Sequence, residues 1–391
     1  MNFILVDFPE TKQNLLPLTY FRPVGELICG IMTLKQKWEY FLQEKTSYLT
    51  ENYLQEKFLV NYTDKNIYIN ASIFPDKDLI NSILKLKEGE KLVKNNMVIA
   101  FNYKDLSLKD LPNIKLNEIE YQKSIDGIFN LYDIFTKNAQ QLKSDFEIYT
   151  ATKTSKKISK TNIIIGENPV FLEEGADVEA SIINTQDGAV YIGKNAKILE
   201  GSMLRGPLAI LENSVVKMGA KIYGGTTIGK NCKVGGEVKE VVFLGNSNKG
   251  HDGYLGDSVI GKWCNLGADT NNSNLKNNYS NVKLWNFSKQ DFVDTGLQFC
   301  GLIMGDHSKC GIATMFNTGT VVGVSSNIFG YDFQPKFFPS FKWGNAQKMT
   351  DYRFDKAKEV AKAVMKRRNI NFEGVEERLF DEVYRKAKRN G

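Results

Sequence analysis

The chain has few of the residues that build metal sites, disulfide frameworks or membrane spans. Of its 391 residues two are histidines and five are cysteines, and no two cysteines have CxxC spacing. A histidine-rich metal site and a disulfide scaffold are therefore disfavoured, and we assign no metal ligands. No apolar run reaches 18 residues, and the short apolar stretch at 3–6 lacks the basic start of a signal peptide. We expect a soluble, cytoplasmic protein that does not span a membrane.

Basic and acidic residues are nearly balanced in number. The 51 basic and 45 acidic residues give a formal net charge of +6 and are spread along the sequence. No basic block of the kind that grips a phosphate backbone dominates, so we expect no nucleic-acid partner. The length is sufficient for two or three domains with real cores.

The most informative positive feature is an aliphatic residue at every sixth position from 192 to 234. These eight positions are Ile192, Ile198, Leu204, Ile210, Val216, Ile222, Ile228 and Val234. The residue four places after each is small or β-branched, with Leu208 the single exception. Three six-residue units make one triangular turn of a parallel β-helix, with the aliphatic residue inside and the small one near a corner. We therefore predict a β-helix of hexapeptide repeats.

The period resumes in two later blocks. The second block comprises Tyr254, Ile260 and Leu266, and the third comprises Met304, Cys310, Phe316, Val322 and Ile328. Between them, residues 268–300 lose the period and become rich in asparagine, which predicts a loop thrown out of the coil. Three of the five cysteines fall on repeat positions, so packing explains them better than metal or disulfides do. Those five are Cys29, Cys232, Cys264, Cys300 and Cys310.

The rest of the chain has a different pattern. Four apolar runs read as buried strands and two stretches have helical spacing, which predicts a compact α/β domain before the repeats. The runs are at 3–6, 58–60, 67–70 and 97–101, and the helical stretches are at 25–45 and 76–87. After Ile328 the period stops, and residues 351–388 predict one or two amphipathic helices. We expect three domains: 1–160 α/β, 161–335 β-helix and 336–391 helical tail.

A candidate catalytic constellation begins at His251. It runs through Tyr254 and Asp257 and continues with Asn265 and the asparagine-rich loop. A histidine can accept a proton from an amine or hydroxyl near neutral pH as that group attacks an activated acyl carbon. From the repeat alone, an ordinary surface histidine is as good an interpretation. His307 has the same phase in the repeat, so we expect both histidines outside the coil, where removing either opens no core cavity.

The run from His251 to Asn274 resembles the acetyltransferase half of a bifunctional family, N-acetylglucosamine-1-phosphate uridyltransferase/glucosamine-1-phosphate N-acetyltransferase. In that family a histidine precedes a similar Tyr-Leu-Gly-Asp, an Asn-Ile-Gly-Ala-Gly-Thr and an asparagine loop. The resemblance implies a left-handed parallel β-helix, with His251 as the general base that deprotonates the sugar amine. It also implies that Tyr254 and Asn265 contact the sugar, and that Ala268 and Asn274 lie on the acetyl-CoA side.

Two lysines extend the resemblance. Glu237-Val238-Lys239 is similar to the family's Glu-Met-Lys, and Lys217-Met218-Gly219-Ala220 is similar to its Arg-Pro-Gly-Ala. Lys239 and Lys217 would then bind the substrate's phosphate or sugar. The alternative for each is an ordinary solvated position on the repeat. Lys217 stands where the family has arginine, and a lysine lacks the bidentate fork.

The amino-terminal segment Leu16 to Pro23 is similar to the Pro-Leu-Thr-x-x-Arg-Pro-Lys loop of sugar-phosphate nucleotidyltransferases. The resemblance implies that Thr19 and Arg22 bind nucleotide phosphate. The family's glycine-rich portion is missing, and Asn70-Ala71 stands where the Gly-Asp that holds magnesium is expected. Mg²⁺ is implied only if this domain is active, with Asp7 or Asp76 as substitute ligands. The closest resemblance is to the divergent Bacteroidota-type form of the bifunctional family, with a trimmed first domain.

Three functions remain open. The first is an acetyl-CoA-dependent N-acetyltransferase acting on an amino-sugar 1-phosphate in nucleotide-sugar biosynthesis, with a nucleotidyltransferase-like first domain that uses UTP or another nucleoside triphosphate. The second is a nucleotidyltransferase whose β-helix is only an oligomerisation scaffold. The third is a non-enzymatic solenoid. His251 and its neighbours favour the first, and Arg22 favours the second. Because flat-sided coils pack around a threefold axis, we also expect a homotrimer.

Overall fold

The computed structural model describes residues 1–330 and 332–389 and divides them into two compact units. The first unit comprises Met1–Leu15, Thr19–Leu27 and Met32–Asn130. The second comprises Leu16–Leu18, Ile28–Ile31 and everything described from Leu131 onward. In the described part of the chain, no helix is both long enough and apolar enough to cross a membrane.

The first unit is a six-stranded mixed sheet with the strand order β2-β1-β3-β5-β4-β6. Its strands are β1 (Asn2–Val6), β2 (Thr46–Leu49), β3 (Asn66–Asn70), β4 (Glu90–Lys94), β5 (Met97–Tyr103) and β6 (Asn117–Glu120). Its helices are α1 (Pro9–Asn14), α2 (Leu34–Leu42), α3 (Asn52–Gln55) and α4 (Lys77–Ile83), with single 3₁₀ turns at Val24–Glu26 and Leu111–Asn113. Strand β1 pairs in parallel with β2 and β3, so it is an interior strand. Its run of apolar residues suits burial on both faces.

Local signals explain most of this unit. The Asp76 side chain accepts a hydrogen bond from the Leu79 amide and caps α4. The predicted strand at 58–60 is wrong: this segment follows α3 and joins no strand, and Leu59 is 64% exposed. The segment still packs beside β2, since the Tyr48 amide donates to the Leu59 carbonyl at 3.1 Å and the rings of Tyr48 and Phe58 are 5.8 Å apart, but it does not pair as a strand. The strand that pairs with β1 is β2, whose sequence Thr-Ser-Tyr-Leu is less apolar.

The second unit is a parallel β-solenoid, and the predicted β-helix is confirmed. Its first strands are β7 (Ile163–Ile165), β8 (Val170–Leu172), β9 (Asp177–Val178), β10 (Ile182–Asn184), β11 (Val190–Ile192), β12 (Lys197–Ile198), β13 (Met203–Arg205), β14 (Leu208–Ile210), β15 (Val215–Val216), β16 (Lys221–Ile222), β17 (Thr226–Ile228), β18 (Lys233–Val234), β19 (Glu237–Phe243) and β20 (Asn248–Lys249). The remaining strands are β21 (Tyr254–Ile260), β22 (Asn265–Leu266), β23 (Asn271–Asn272), β24 (Lys283–Asn286), β25 (Asp291–Asp294), β26 (Leu302–Met304), β27 (Lys309–Cys310), β28 (Met315–Phe316), β29 (Thr320–Val322), β30 (Asn327–Ile328), β31 (Phe337–Phe338), β32 (Lys342–Gly344) and β33 (Met349–Asp351).

Strand pairing sorts the coil into three faces. Face one contains β7, β10, β13, β16 and the first halves of β19 and β21. Face two contains β8, β11, β14, β17, the second halves of β19 and β21, and then β26, β29 and β31. Face three contains β9, β12, β15, β18, β20, β22, β27, β30 and β32. The coil thus continues past Ile328, where the repeat in the sequence ends, because Phe338 fills the next inward position.

The interior follows the repeat closely. All eight aliphatic positions from Ile192 to Val234 are at most 2% exposed, and so are the small positions that follow them. Residues of the third block are buried as well. All five cysteines are buried, and none of them forms a disulfide. Interior packing therefore accounts for the sixfold period.

Helices cover two of the three faces. In this unit α5 (Asp133–Thr136) precedes α6 (Asn138–Thr150), whose Asn138 amide donates to the carbonyl of Gly225 at 2.8 Å, at the start of face two. The tail forms α7 (Phe354–Lys366) and α8 (Val375–Arg389), which confirms the predicted amphipathic helices. Arg368 donates to Asn248 on face three at 3.2 Å. Face one begins with an exposed apolar row formed by Ile163, Ile182 and Met203.

Candidate functional site

One coil is shorter than its neighbours, and this changes which side chains point inward. Eighteen residues separate Val216 from its partner Val234, but only fifteen separate Val234 from its partner Lys249. Lys249 consequently takes an aliphatic position inside the coil and is 1% exposed. After it the inward residue is Leu255, which pairs with Val238, whereas Tyr254 lies outward and half-buried. The repeat placed Tyr254 among the inward residues, and the shortened coil makes that interpretation wrong.

The turn that carries His251 lies between face three and face one. His251 is exposed and lies two residues after the end of β20 and three residues before β21 begins. The buried Lys249 ammonium donates to the backbone carbonyl of His251 at 2.9 Å and to that of Gly235 at 3.1 Å. Burial lowers the pKa of Lys249 to about 8, because an ammonium inside the coil loses its hydration. The backbone beneath His251 is therefore held from inside the solenoid.

A polar cluster lies on face one beside this turn. The amide of Asn274 donates to the Tyr254 hydroxyl at 3.0 Å and to the carboxylate of Asp257. Asp257 is 2% exposed, and burial, with Glu240 nearby, raises its pKa to about 6. Lys239 lies 3.8 Å from Glu240 and 5.4 Å from the ring centre of Phe299. The coil and the asparagine-rich stretch thus bring these five polar side chains and the Phe299 ring together.

Asparagine side chains replace the backbone ladder at this point of the coil. Asn271 Oδ1 accepts from the Tyr254 amide at 2.7 Å. Asn272 Oδ1 accepts from the Gly256 amide at 2.8 Å, and its Nδ2 donates to the Gly256 carbonyl at 3.1 Å. Beyond it the chain leaves the coil until about residue 300 and forms an antiparallel hairpin of β24 and β25. The asparagine-rich stretch therefore joins the coil before it becomes a loop.

The structure separates the remaining predicted residues into three places. Lys217 is half-exposed two coils before the Lys249 turn, where its Cβ lies beside Gly235 of the intervening coil. Asn265 is exposed on face three, paired in register with Asn248, and so does not share a face with Tyr254 in this chain. Ala268 lies in the turn after β22. The fold brings Lys239, Tyr254 and Asn274 together in one cluster on face one and places Asn265 on face three.

Thr19 and Arg22 are both buried, at 0% and 3% exposure. Thr19 donates to the carbonyl of Lys12 at 2.9 Å. A cavity of about 640 Å³ lies in the first unit beside the ends of β1 and β3, lined among others by Glu10, Asn70 and Phe129. Neither Thr19 nor Arg22 is among its lining residues.

A magnesium site of the expected kind does not fit the first unit. Asp7 is 1% exposed, and its carboxylate accepts from Lys12 at 2.8 Å, from the Val24 amide at 2.8 Å and from Thr50. Asp76 is occupied as the cap of α4. Within the described ranges, no three His, Cys, Asp or Glu side chains gather where they could hold a metal ion. Glu10 is the single carboxylate that lines the cavity in that part of the chain.

Sequence reasoning assigned no role to two carboxylates, Asp257 and Glu240. Asp257 is visible in the sequence as the last residue of Tyr-Leu-Gly-Asp, but only the fold shows that it is buried beside Glu240. Nothing in the sequence marked Lys249 as an inward residue, because the repeat does not reveal the shortened coil. His307 is corrected too: it is 6% exposed, 6.0 Å from Trp263 and 5.4 Å from Phe380 of α8 between ring centres. It lies outside the coil, but removing it would open a cavity beneath α8.

Comparison with known proteins identifies one matching family and several similar proteins. Residues 3–154 match the family described as sugar nucleotidyl transferase. The bifunctional protein GlmU of Wigglesworthia glossinidia brevipalpis is 26% identical over 272 residues, 64% of this chain and 53% of that protein. GlmU of Methanocaldococcus jannaschii is 30% identical over 258 residues, 62% of this chain and 58% of that protein.

Among solved structures, UDP-N-acetylglucosamine acyltransferase from Campylobacter jejuni matches 57% of this chain and 95% of its own, with 16% identity and a TM-score of 0.31. The chain spans about half the length of the curated relatives it matches. The resemblance to the bifunctional family is confirmed. The chain is thus similar to the bifunctional GlmU proteins, and its amino-terminal segment matches the sugar nucleotidyl transferase family.

Proposed function

We propose that the chain is an acetyl-CoA-dependent N-acetyltransferase that acts on an amino-sugar 1-phosphate. The observation that carries this proposal is the exposed His251, on a turn tied down by Lys249 and next to the cluster of Tyr254, Asp257 and Asn274. The similarity to GlmU proteins supports it, since those proteins are described as bifunctional.

The chemistry requires a base and a way to hold a charged sugar. Acetyl-CoA, a thioester, supplies an activated acyl carbon when bound. His251 accepts a proton from the sugar 2-amino group as its nitrogen bonds to that carbon, the carbon–sulfur bond breaks, and the thiolate leaves and takes up a proton. Lys239 lies half-exposed on face one, where an ammonium can attract the sugar phosphate.

Tyr254 and Asn274 orient the acceptor in this proposal. Asn274 uses its amide nitrogen on Tyr254 and Asp257, so its carbonyl oxygen remains to accept a hydrogen bond. Lys217 and Asn265 lie away from this cluster within one chain, and they would join it only from a neighbouring copy. Ala268 would border the acetyl-CoA side, because its methyl leaves room at the turn.

A homotrimer is the assembly that best suits this arrangement. Ile163, Ile182 and Met203 stand in register on face one and are 57%, 40% and 43% exposed. Faces two and three carry helices, so face one is where a second copy can bury this apolar ladder. Sedimentation equilibrium at micromolar concentration should give three times the chain mass, and a monomer there would contradict the proposal.

The second candidate function, nucleotide transfer by the first unit, is favoured by one observation. Residues 3–154 match the sugar nucleotidyl transferase family, and the cavity of about 640 Å³ lies where such α/β sheets bind ligands, outside the carboxyl ends of strands. The cavity lining holds no lysine or arginine in the described chain, and Asp7 is already engaged. We therefore rank nucleotide transfer below acetyl transfer.

One assay separates the candidates. Purified protein is incubated with acetyl-CoA, UTP and either glucosamine 1-phosphate or its acetylated form, and products are followed by mass spectrometry. We expect the acetylated sugar phosphate with free CoA. A nucleotide sugar without any acetylation would favour the second function, and no product from either mixture would favour a non-enzymatic solenoid.

A further inference from the structure

A cavity of about 410 Å³ lies on face three, between the coil and the end of α7. Four cationic side chains line it: Lys233 and Lys309 from the coil, and Arg367 and Arg368 from just beyond α7. No carboxylate is among its lining residues in the described chain. Asn248 and Asn265 add polar groups, and Asn248 accepts the hydrogen bond from Arg368 that joins the two walls.

These cations differ from three lysines of α7 that have carboxylate partners. On α7, Lys356 pairs with Glu359, Lys358 with Glu377 and Asp381, and Lys362 with Glu373. Within the described residues, the structure gives none of the four cavity cations a carboxylate within 4.0 Å. Gathering like charges without counterions costs electrostatic free energy, which a bound anion would recover.

Lys309 is the most confined of the four. It is only partly exposed, and its ammonium donates to the carbonyl of His307 at 2.7 Å. An ammonium has three donors, so further donors remain for a ligand. Burial lowers the pKa of Lys309 to about 8, which shows how little the protein alone does to stabilise its charge.

We propose that this basic cavity, bounded by Lys233, Lys309, Arg367 and Arg368, binds a small phosphate-bearing molecule. Guanidinium groups match phosphate oxygens in bidentate geometry, and lysines add point charges. The volume accommodates a diphosphate-sized ligand. The site is distinct from the cluster at Tyr254 and does not depend on the acetyl-transfer proposal. It would make the tail helix α7 part of a ligand site as well as a cover for the coil.

The test is calorimetric binding of three probes to the full chain: inorganic pyrophosphate, adenosine 3′,5′-bisphosphate and glucosamine 1-phosphate. We expect at least one to bind, and the tightest identifies whether the source is free phosphate, a nucleotide cofactor or a sugar phosphate. Arg367→Gln changes an exposed side chain and should weaken binding several-fold. Lys309→Met with Arg368→Gln should weaken it at least tenfold.

Lys366→Gln is the matched control, because Lys366 is an exposed cation adjacent to Arg367 that does not line the cavity. It should bind each probe as the wild type does. Thermal melts without ligand verify that every variant is folded. The proposal fails if no probe binds, or if Arg367→Gln binds as tightly as Lys366→Gln. Acetyl transfer that persists alongside such a failure would leave the proposed function intact.

Discussion

His251 and Lys249 are two positions apart, yet they lie in opposite environments. His251 is exposed to solvent, whereas Lys249 is 1% exposed inside the coil and reaches back to the histidine's carbonyl. In the proposed function His251 accepts a proton from the substrate, whereas Lys249 fixes the turn. Substituting each should therefore change a different measurable property.

Replacing His251 with alanine should reduce kcat for acetyl transfer by about 10² to 10⁴, the usual loss on removing a general base. The thermal midpoint should stay near that of wild type, because the side chain is exposed. His307→Phe is the control, since an aromatic ring preserves the contacts with Trp263 and Phe380. If His251→Ala retains wild-type kcat, the general base lies elsewhere.

Lys249 should make stability depend on pH in a specific range. Its pKa is about 8 in the folded chain and near 10.5 when unfolded, so between these values the unfolded chain binds more protons. The free energy of unfolding should therefore rise with pH across this window. Lys249→Met should remove about 1–3 kcal/mol of that rise.

The measurement is chemical denaturation at several values between pH 7.5 and 10, read as the difference between variant and wild type. Buried tyrosines such as Tyr191, whose pKa is raised, act in the opposite direction, and the difference cancels them. Lys221→Met, an exposed lysine on the neighbouring coil, should leave the wild-type slope unchanged. Equal slopes in Lys249→Met and wild type would mean that the lysine is not desolvated.

At the scale of elements, the junction between coil and loop rests on β23. Asn272 is 5% exposed at an inward position, and its amide satisfies both polar groups of the Gly256 backbone. Leucine would suit the interior but would leave the Gly256 amide without its partner, whereas the Gly256 carbonyl would keep the hydrogen bond from the Ser258 hydroxyl at 2.6 Å. A buried unpaired group costs about 1–3 kcal/mol.

Asn272→Leu should accordingly lower the free energy of unfolding by about 1–3 kcal/mol, because the buried Gly256 amide loses its partner. It should also reduce acetyl transfer, since Asn274 two residues later holds Tyr254 and Asp257. Asn277→Leu, on the exposed part of the loop, is the comparison and should leave stability within about 0.5 kcal/mol. A stabilised Asn272→Leu variant would show that aliphatic packing outweighs the lost hydrogen bonds.

The solenoid was predictable from sequence because its inward residues recur at a fixed spacing, and one face of every strand must be apolar. The strands of the first unit were harder to predict, because β2 is too polar to stand out and the apolar run at 58–60 packs beside it without forming a strand. The site was predictable only where its residues belong to a recognisable motif. Lys249 and the pairing of Asp257 with Glu240 depend on a coil three residues shorter than the preceding one, which spacing alone does not reveal.

At the scale of the whole molecule, the two units differ in how well they suit their expected reactions. We predict weak or absent magnesium-dependent uridyl transfer alongside robust acetylation. Asp7 is buried in a pair with Lys12, and a metal would have to break that pair. UTP with acetylated sugar phosphate and Mg²⁺ should yield little pyrophosphate in a coupled assay.

Arg22→Ala and Asp7→Ala serve as the informative variants for that assay. Robust pyrophosphate formation that disappears with Arg22→Ala but survives Asp7→Ala would show that the first unit builds its phosphate site differently. Circular dichroism of both variants verifies folding, because both residues are buried.

The covering of faces two and three by helices has a consequence for growth of the assembly. A three-sided solenoid with all faces open can bind new copies on every side, and its aggregates enlarge as concentration rises. A solenoid with one open face cannot keep growing in this way, because each association buries the surface that the next copy would need. Association of this chain should therefore be self-limiting: light scattering should reach a plateau at one small particle size and remain there as concentration increases.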